Sequence, residues 1–269
     1  MKKNPYKIVV LTDLTKSSES VLKSAVSIAK IINGRIEMFY VKKAVDVVKM
    51  DNQLSAMRTI TIEHKSINRK MRNLASSTSE KYDMGITYSF EFGNVKNEIE
   101  EYLTDQKPDL VILGKRKSKT FKLMGDGITD FVLNCHGGPI MITPYNKALE
   151  PNTEVSLGML NNPKPLINLE FAEELMKHVH KPLKSFKIVK NKSSSPKQPL
   201  PKDRKTIEYD FEYSDNIIKN FNTYISKINI DLLCLDRVKK SSNATTILTA
   251  SDVKEVMGKL NVSLLISGE

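Results

Sequence analysis

Asp13 follows directly on the apolar run Ile8-Val-Val-Leu-Thr12, which places a carboxylate at the end of a buried strand. Open α/β sheets bind ligands outside the carboxyl ends of their strands, so Asp13 is a candidate ligand contact. The plainer alternative is a cap at a helix start. A second region follows the run Asp109-Leu-Val-Ile-Leu-Gly114: the cations Lys115, Arg116, Lys117, Lys119 and Lys122, then Gly125-Asp126-Gly127-Ile128-Thr129. Clustered Lys and Arg attract phosphate charge. With only Phe121 as an interleaved aromatic, a solvated basic loop leading into a turn explains the same residues, and a nucleic-acid partner is not expected.

The remaining chemistry-bearing residues are sparse. His178 and His180 are two apart, which on a helix turns them to nearly opposite sides, so no metal site is expected. His64 and His136 lack a neighbouring Cys or carboxylate pattern, and no acid/base pair or activated nucleophile emerges. Cys135 and Cys234 lie one in each half and read as small buried residues.

These residues must be positioned by a chain of 269 residues, too long for a typical single domain and suited to two. Hydrophobic content of 40% and charged content of 27% allow each half to bury a core. The net charge of +11 is spread over both halves rather than held in one arm. No apolar run is long enough to span a bilayer and no signal-peptide pattern opens the chain, so a soluble cytoplasmic protein with no membrane partner is expected.

Residues 8–12 predict a first strand, and Val21, Leu22, Ala25, Val26, Ile28, Ala29 and Ile32 an amphipathic helix stopped at Asn33-Gly34. A second strand is expected over 35–41, a long polar helix from about 54 to 80, and a third strand through Thr87, Ser89 and Glu91. Val95, Ile99 and Leu103 mark a helix, Asp109–Gly114 a buried strand, 126–136 a last helix and Pro139–Thr143 a closing strand. Strands alternating with helices predict right-handed crossovers and a doubly wound parallel sheet.

The order then repeats. Phe90-Glu91-Phe92 is echoed by Phe211-Glu212-Tyr213, and Asp109-Leu-Val-Ile-Leu-Gly-Lys-Arg by Asp231-Leu-Leu-Cys-Leu-Asp-Arg, each before a basic loop, a helix and a closing strand. In the second copy the long helix is expected to be missing, replaced by a basic Pro- and Ser-rich stretch over 191–205. The division predicted is 1–148 and 149–269.

In this order and spacing, the strand ending in Asp13 with Ser17-Ser18 opening a helix, the strand ending at Tyr40-Val41, Gly93, Leu110–Gly114 and Pro139–Thr143 resemble the universal stress protein family. The resemblance covers residues 5–145 and extends more weakly over the second half. It implies two tandem adenine nucleotide alpha hydrolase-like α/β domains that form an internal pseudo-dimer, pairing 139–144 with 262–267; a further homodimer stays open. In nucleotide-binding members an Asp after the first strand and the backbone of a Val after the second hold adenine and ribose. A Gly, two residues, Gly, nine residues, Gly and Ser/Thr pattern wraps the phosphates, because glycines let the backbone approach and helix-start N–H groups favour anions.

Asp13, Val41 and Gly114 match; Lys117 stands at the second glycine position, and the closing pair is replaced by Gly125-Asp126-Gly127-Ile128-Thr129. The cofactor residues implied are Asp13, Val41, Gly114, Lys115, Gly125, Gly127 and Thr129, with ATP or another adenine nucleotide as the cofactor. In the second half the Asp13 equivalent falls near Leu160-Asn161-Asn162 and the Gly114 equivalent is Asp236, so no nucleotide is expected there. The function expected is a non-enzymatic stress-response regulator. The alternatives are an ATP-binding sensor with slow hydrolysis and a scaffold for an unknown protein partner.

Overall fold

The computed structural model describes residues 4–43, 53–115, 127–161, 172–179, 182–189, 206–212, 214, 216–237, 255–256 and 258–268. Continuous apolar runs form strands buried on both faces: β1 (Tyr6–Leu11), β4 (Leu110–Gly114), β5 (Ile140–Thr143), β6 (Leu157–Leu160), β9 (Leu232–Leu235) and β10 (Ser263–Ile266). Outside them lie β2 (Gly34–Lys43), β3 (Ile86–Gly93), β7 (Leu183–Val189) and β8 (Thr206–Glu212), the last two pairs running to the sheet edges.

Among the described residues these strands make one ten-stranded sheet in the order β3-β2-β1-β4-β5-β10-β9-β6-β7-β8. Each half is wound alike, 3-2-1-4-5 against 8-7-6-9-10. Every pairing is parallel except the central one, where β5 and β10 run antiparallel with Met141 opposite Leu265. The fold is thus two tandem doubly wound α/β units joined through their closing strands. The central pairing also converts what would be the open edges of two five-stranded sheets into one ladder.

Helices α1 (Ser18–Ile32), α2 (Gln53–Tyr82), α3 (Val95–Gln106), α4 (Ile128–Cys135), α5 (Ala172–Lys177) and α6 (Ile217–Lys227) cover the two faces. Alternation along β1 splits the core: Ile8 and Val10 belong to the layer that α1, α2 and α5 cover, whereas Val9 belongs to the layer that α3, α4 and α6 cover. α1 stops where Asn33 adopts φ 54° and its N–H returns to Ala29 O, as the Asn-Gly signal predicts. The chain between the halves is tied to α1 by Leu149 N–H on Ser24 Oγ and Ser27 Oγ on Glu150 O.

Most expected elements recur within one to three residues. β2 continues two residues past Val41, to Lys43. Cys234 is fully buried as expected, but Cys135 at the end of α4 is only half-buried, because that helix end lies at the margin of the seam between the halves. His178 sits just beyond α5 rather than within a helix. The expected loss of a helix at 191–205 falls outside the described residues, as do His180, Lys117 and Gly125.

Candidate functional site

In the order 3-2-1-4-5 the winding reverses between β1 and β4, and the space outside their carboxyl ends is where such sheets hold ligands. A cleft of about 300 Å³ lies there. Asp13, Val41, Gly114, Gly127 and Thr129 all line it, brought together from four separate stretches of chain.

Asp13 is set by the turn from β1 into α1. Leu14 adopts φ 55°, uncommon for a non-glycine residue, and its N–H is bound by Thr12 Oγ1 at 3.2 Å. Asp13 Oδ1 then accepts from the Thr15 N–H at 3.1 Å, the Thr15 hydroxyl at 2.8 Å and the Ser18 hydroxyl at 3.3 Å. Ser17, not Asp13, occupies the N-cap position of α1, and makes no side-chain cap. The carboxylate therefore orders the loop ahead of the helix instead of capping it.

Val41 belongs to β2, whose residues 39 and 41 turn their backbone groups toward β1. Phe39 O accepts from the Thr12 N–H at 3.0 Å, the last rung before β1 departs. The Val41 peptide, two residues on, faces the cleft. Beneath it Phe39 is buried and stacked on Tyr102, with ring centroids 3.7 Å apart and planes 5° from parallel. Burial, aided by Glu37, pushes the Tyr102 phenol far above its ordinary range, so it stays protonated.

Gly114 has a local reason to be glycine: a Cβ there would lie 2.5 Å from Val21 Cγ2, so α1 packs directly on the end of β4. Gly127 is the N-cap of α4 with φ 74°, a conformation that disfavours any side chain, and it presents the helix's first N–H groups to the cleft. Thr129 lies in that first turn.

Lys115 goes elsewhere. Its ammonium crosses the seam to donate to Leu260 O at 2.6 Å, and burial lowers its pKa to about 8. Gly125 lies outside the described residues. Sequence reasoning missed Lys42 and Lys43, which line the cleft because β2 runs on past Val41. It also missed Lys96, whose Nζ lies 4.0 Å from where a Cβ on Gly127 would stand and 5.6 Å from the Phe131 ring centroid. Asn94 fixes that end of α3 by capping the N–H groups of Lys96 and Asn97, so the signal was an Asn-Val-Lys helix start after Gly93.

Among the described residues no histidine lines the cleft. His64 packs on Phe90 with centroids 4.8 Å apart. His136 is held at the seam, where burial and the Arg237 guanidinium lower its pKa to about 4. Among the described residues no three His, Cys, Asp or Glu side chains converge as a metal site would require, and no helix is long and apolar enough to cross a membrane.

A family model described as the universal stress protein family matches residues 6–142. Comparison with curated proteins finds no match. Among solved structures, a universal stress protein from Archaeoglobus fulgidus aligns at 16% identity over 99% of both chains, with a TM-score of 0.70. A universal stress protein from Pseudomonas aeruginosa aligns at 12% identity over 98% of this chain and 93% of its own, with a TM-score of 0.56. At such identities these structures speak for the fold, across both halves.

Proposed function

The chain belongs to the universal stress protein family, and from that premise we propose that it is a non-enzymatic binding protein of the stress response whose first half senses an adenine nucleotide. The observation that carries the reading is the cleft between the ends of β1 and β4, where Asp13, the Val41 peptide, Gly114 and the start of α4 share one wall-to-wall space. Its volume lies at the lower end of small-molecule sites, about 300–1,000 Å³. Leu11, Val21, Val95 and Ile99 supply an apolar floor suited to a base and ribose.

The phosphates are assigned to the N-terminus of α4 and to Lys96, instead of to Lys115, which is engaged with Leu260 O. What supports a binding rather than a catalytic role is the lining itself. Among the described residues it holds no His, Cys or Glu, and its one carboxylate, Asp13, is already committed to three donors through Oδ1.

Isothermal titration of protein stripped of carried-over nucleotide, with ATP, ADP and AMP, tests this reading. Saturable binding that is lost in Asp13→Ala is expected, with Lys96→Gln weakening ATP more than AMP. No heat at millimolar nucleotide sinks the nucleotide assignment and leaves the family membership intact. Sustained phosphate release from ATP, abolished together with binding, would overturn the non-enzymatic part alone.

A further inference from the structure

β2 carries two lysines past Val41 into the lining of the cleft, and strand alternation sends their side chains to opposite faces of the sheet. Lys42 stands on the α2 side, where its Nζ pairs with Glu63 at 3.4 Å. Lys43 shares the other face with Phe39 and Val41, along an unbroken pairing with β3. Phe39 and Val41 pack in one layer with Ile99 and Leu113, which themselves line the cleft. Lys43 is exposed, and among the described residues its ammonium has no ion-pair or hydrogen-bond partner. An exposed lysine at a strand end is ordinary. This one stands on the cleft's own layer, beside a neighbour that is already neutralised, so its charge is left to the cleft.

A second cation stands on the far side of the cleft. Lys96 Nζ lies 4.0 Å from where a Cβ on Gly127 would stand, at the start of α4, whose first N–H groups already favour an anion. In the sheet β1 separates β2 from β4, so the two strand ends lie two spacings apart, about 10 Å. Just past the end of β1 stands Asp13, its carboxylate fixed by Thr15 and Ser18. A chain of phosphates running from α4 toward Lys43 would have to pass that carboxylate, and like charges repel. Two separate anionic groups, one on each side of Asp13, match the order cation, carboxylate, cation.

We propose that the cleft selects a nucleoside bisphosphate with one phosphate on each side of the ribose: the 5′-phosphate at the start of α4 and Lys96, the ribose beside Asp13, and the 3′-phosphate on Lys43. The inference rests on the nucleotide reading of the cleft and adds to it the class of ligand. Lys43 is then the residue that sets specificity, through a charge-assisted hydrogen bond that only a 3′-phosphate can accept. A monophosphate leaves Lys43 in solvent. A linear diphosphate or triphosphate adds its charge on the α4 side of Asp13, where Lys43 does not meet it.

The test is isothermal titration of the full chain, stripped of carried-over nucleotide, with AMP, ADP and adenosine 3′,5′-bisphosphate. The bisphosphate is expected to bind about tenfold tighter than AMP and tighter than ADP, with an advantage that shrinks as salt rises. Lys43→Gln should bring it within about twofold of AMP titrated on the same variant, while Lys43→Arg, which keeps the charge, should retain most of the ratio. Lys65→Gln removes an exposed cation of α2 and should leave the ratio as it is. Unchanged circular dichroism verifies that each variant folds. Equal affinity for AMP and the bisphosphate, ADP binding as tightly as the bisphosphate, or a full ratio in Lys43→Gln would each overturn the proposal, and measurable AMP binding in those cases leaves the nucleotide reading standing. No heat with any of the three ligands sinks that reading and the inference together.

Discussion

The two halves share a winding order but finish their strand ends differently. In the first, Thr12 N–H bonds Phe39 O, and two residues further along β2 the Val41 peptide looks into an open cleft. In the second, Asn161 N–H makes the equivalent bond to Phe186 O at 2.7 Å, but its side chain then folds back and Oδ1 accepts from the Ile188 N–H at 2.9 Å. Ile188 stands where Val41 stands in the first half, so the second half satisfies with its own amide the group that the first half leaves at the cleft. Likewise Gly114, which lets α1 approach, is matched by Asp236, whose carboxylate accepts from Ser267 Oγ at 3.3 Å. The difference teaches that sheet and site are separable: apolar runs suffice to rebuild the sheet, while a cleft needs particular residues at a few strand ends.

What the halves do keep in common is the seam, and there they act on each other reciprocally. Lys115 reaches Leu260 O ahead of β10, and Arg237, at the matching position after β9, donates to His136 O at 2.6 Å and Gly138 O at 2.9 Å ahead of β5. Breaking this is expected to have the largest effect. Charge-assisted hydrogen bonds at partly buried carbonyls contribute roughly 1.5–3 kcal/mol each, so Arg237→Ala should lower unfolding free energy by about 3 kcal/mol and Lys115→Ala, with one bond, by about half that. Urea denaturation reads both. Equal losses, or none, would mean that the clasp does not hold the halves together.

The comparison sharpens if the first half is given the residue of the second. Gly114→Asp places a Cβ 2.5 Å from Val21 Cγ2 and a carboxylate beside the expected phosphates. Displacing α1 should cost about 2 kcal/mol, and nucleotide binding should vanish. Gly114→Ala retains the clash without the charge and separates the two causes. A titration that stays unchanged in Gly114→Asp would remove β4 from the site.

His136 offers a smaller, pH-dependent test of the seam. Its folded pKa, lowered to about 4 by burial and then by Arg237, lies below the ordinary value of 6.5. The unfolded chain therefore binds more protons between these values, so the group's contribution is intact above pH 6.5 and is lost as pH falls toward 4. Because the imidazole is partly open to solvent, roughly 1 kcal/mol is expected. Chemical denaturation at pH 7 and pH 4.5 should show a smaller acid loss in His136→Gln than in the wild type.

Much of the architecture was legible because it rests on signals local in sequence. Continuous runs such as Leu110–Gly114 and Leu232–Leu235 mark buried strands, and their repetition at matched spacing predicted a second unit like the first, while the pairing of β5 with β10 followed from the family resemblance. Of the cleft residues, Asp13 could be named from its place at the end of a strand, whereas Val41, Gly114, Gly127 and Thr129 were named by the family resemblance. Lys115 could not be aimed from sequence: its partner carbonyl is 145 residues away, and nothing near Lys115 distinguishes a phosphate ligand from a seam cation. Lys96 was hidden for the converse reason, being brought to Gly127 by the packing of α3 beside α4. Lys42 and Lys43 read as the end of a strand because charge usually marks one, whereas pairing with β3 carries β2 through both.

The finest test of the contrast lies at Asn161. Replacing it with alanine removes the acceptor from the Ile188 N–H, which should cost about 0.5–1 kcal/mol, the net worth of one hydrogen bond in a half-buried setting. The variant then has at Ile188 the same open peptide that the first half has at Val41. If that peptide were sufficient to hold a base, titration with AMP would rise from one to two ligands per chain. The expected stoichiometry stays at one, because Asp236 still stands at the position that Gly114 holds in the first half and Phe186 sits among Tyr209, Phe211 and Phe221 in a filled aromatic cluster. A second site appearing in Asn161→Ala would show that a single side chain closes the second half, and that its strand ends otherwise retain the form of a nucleotide site.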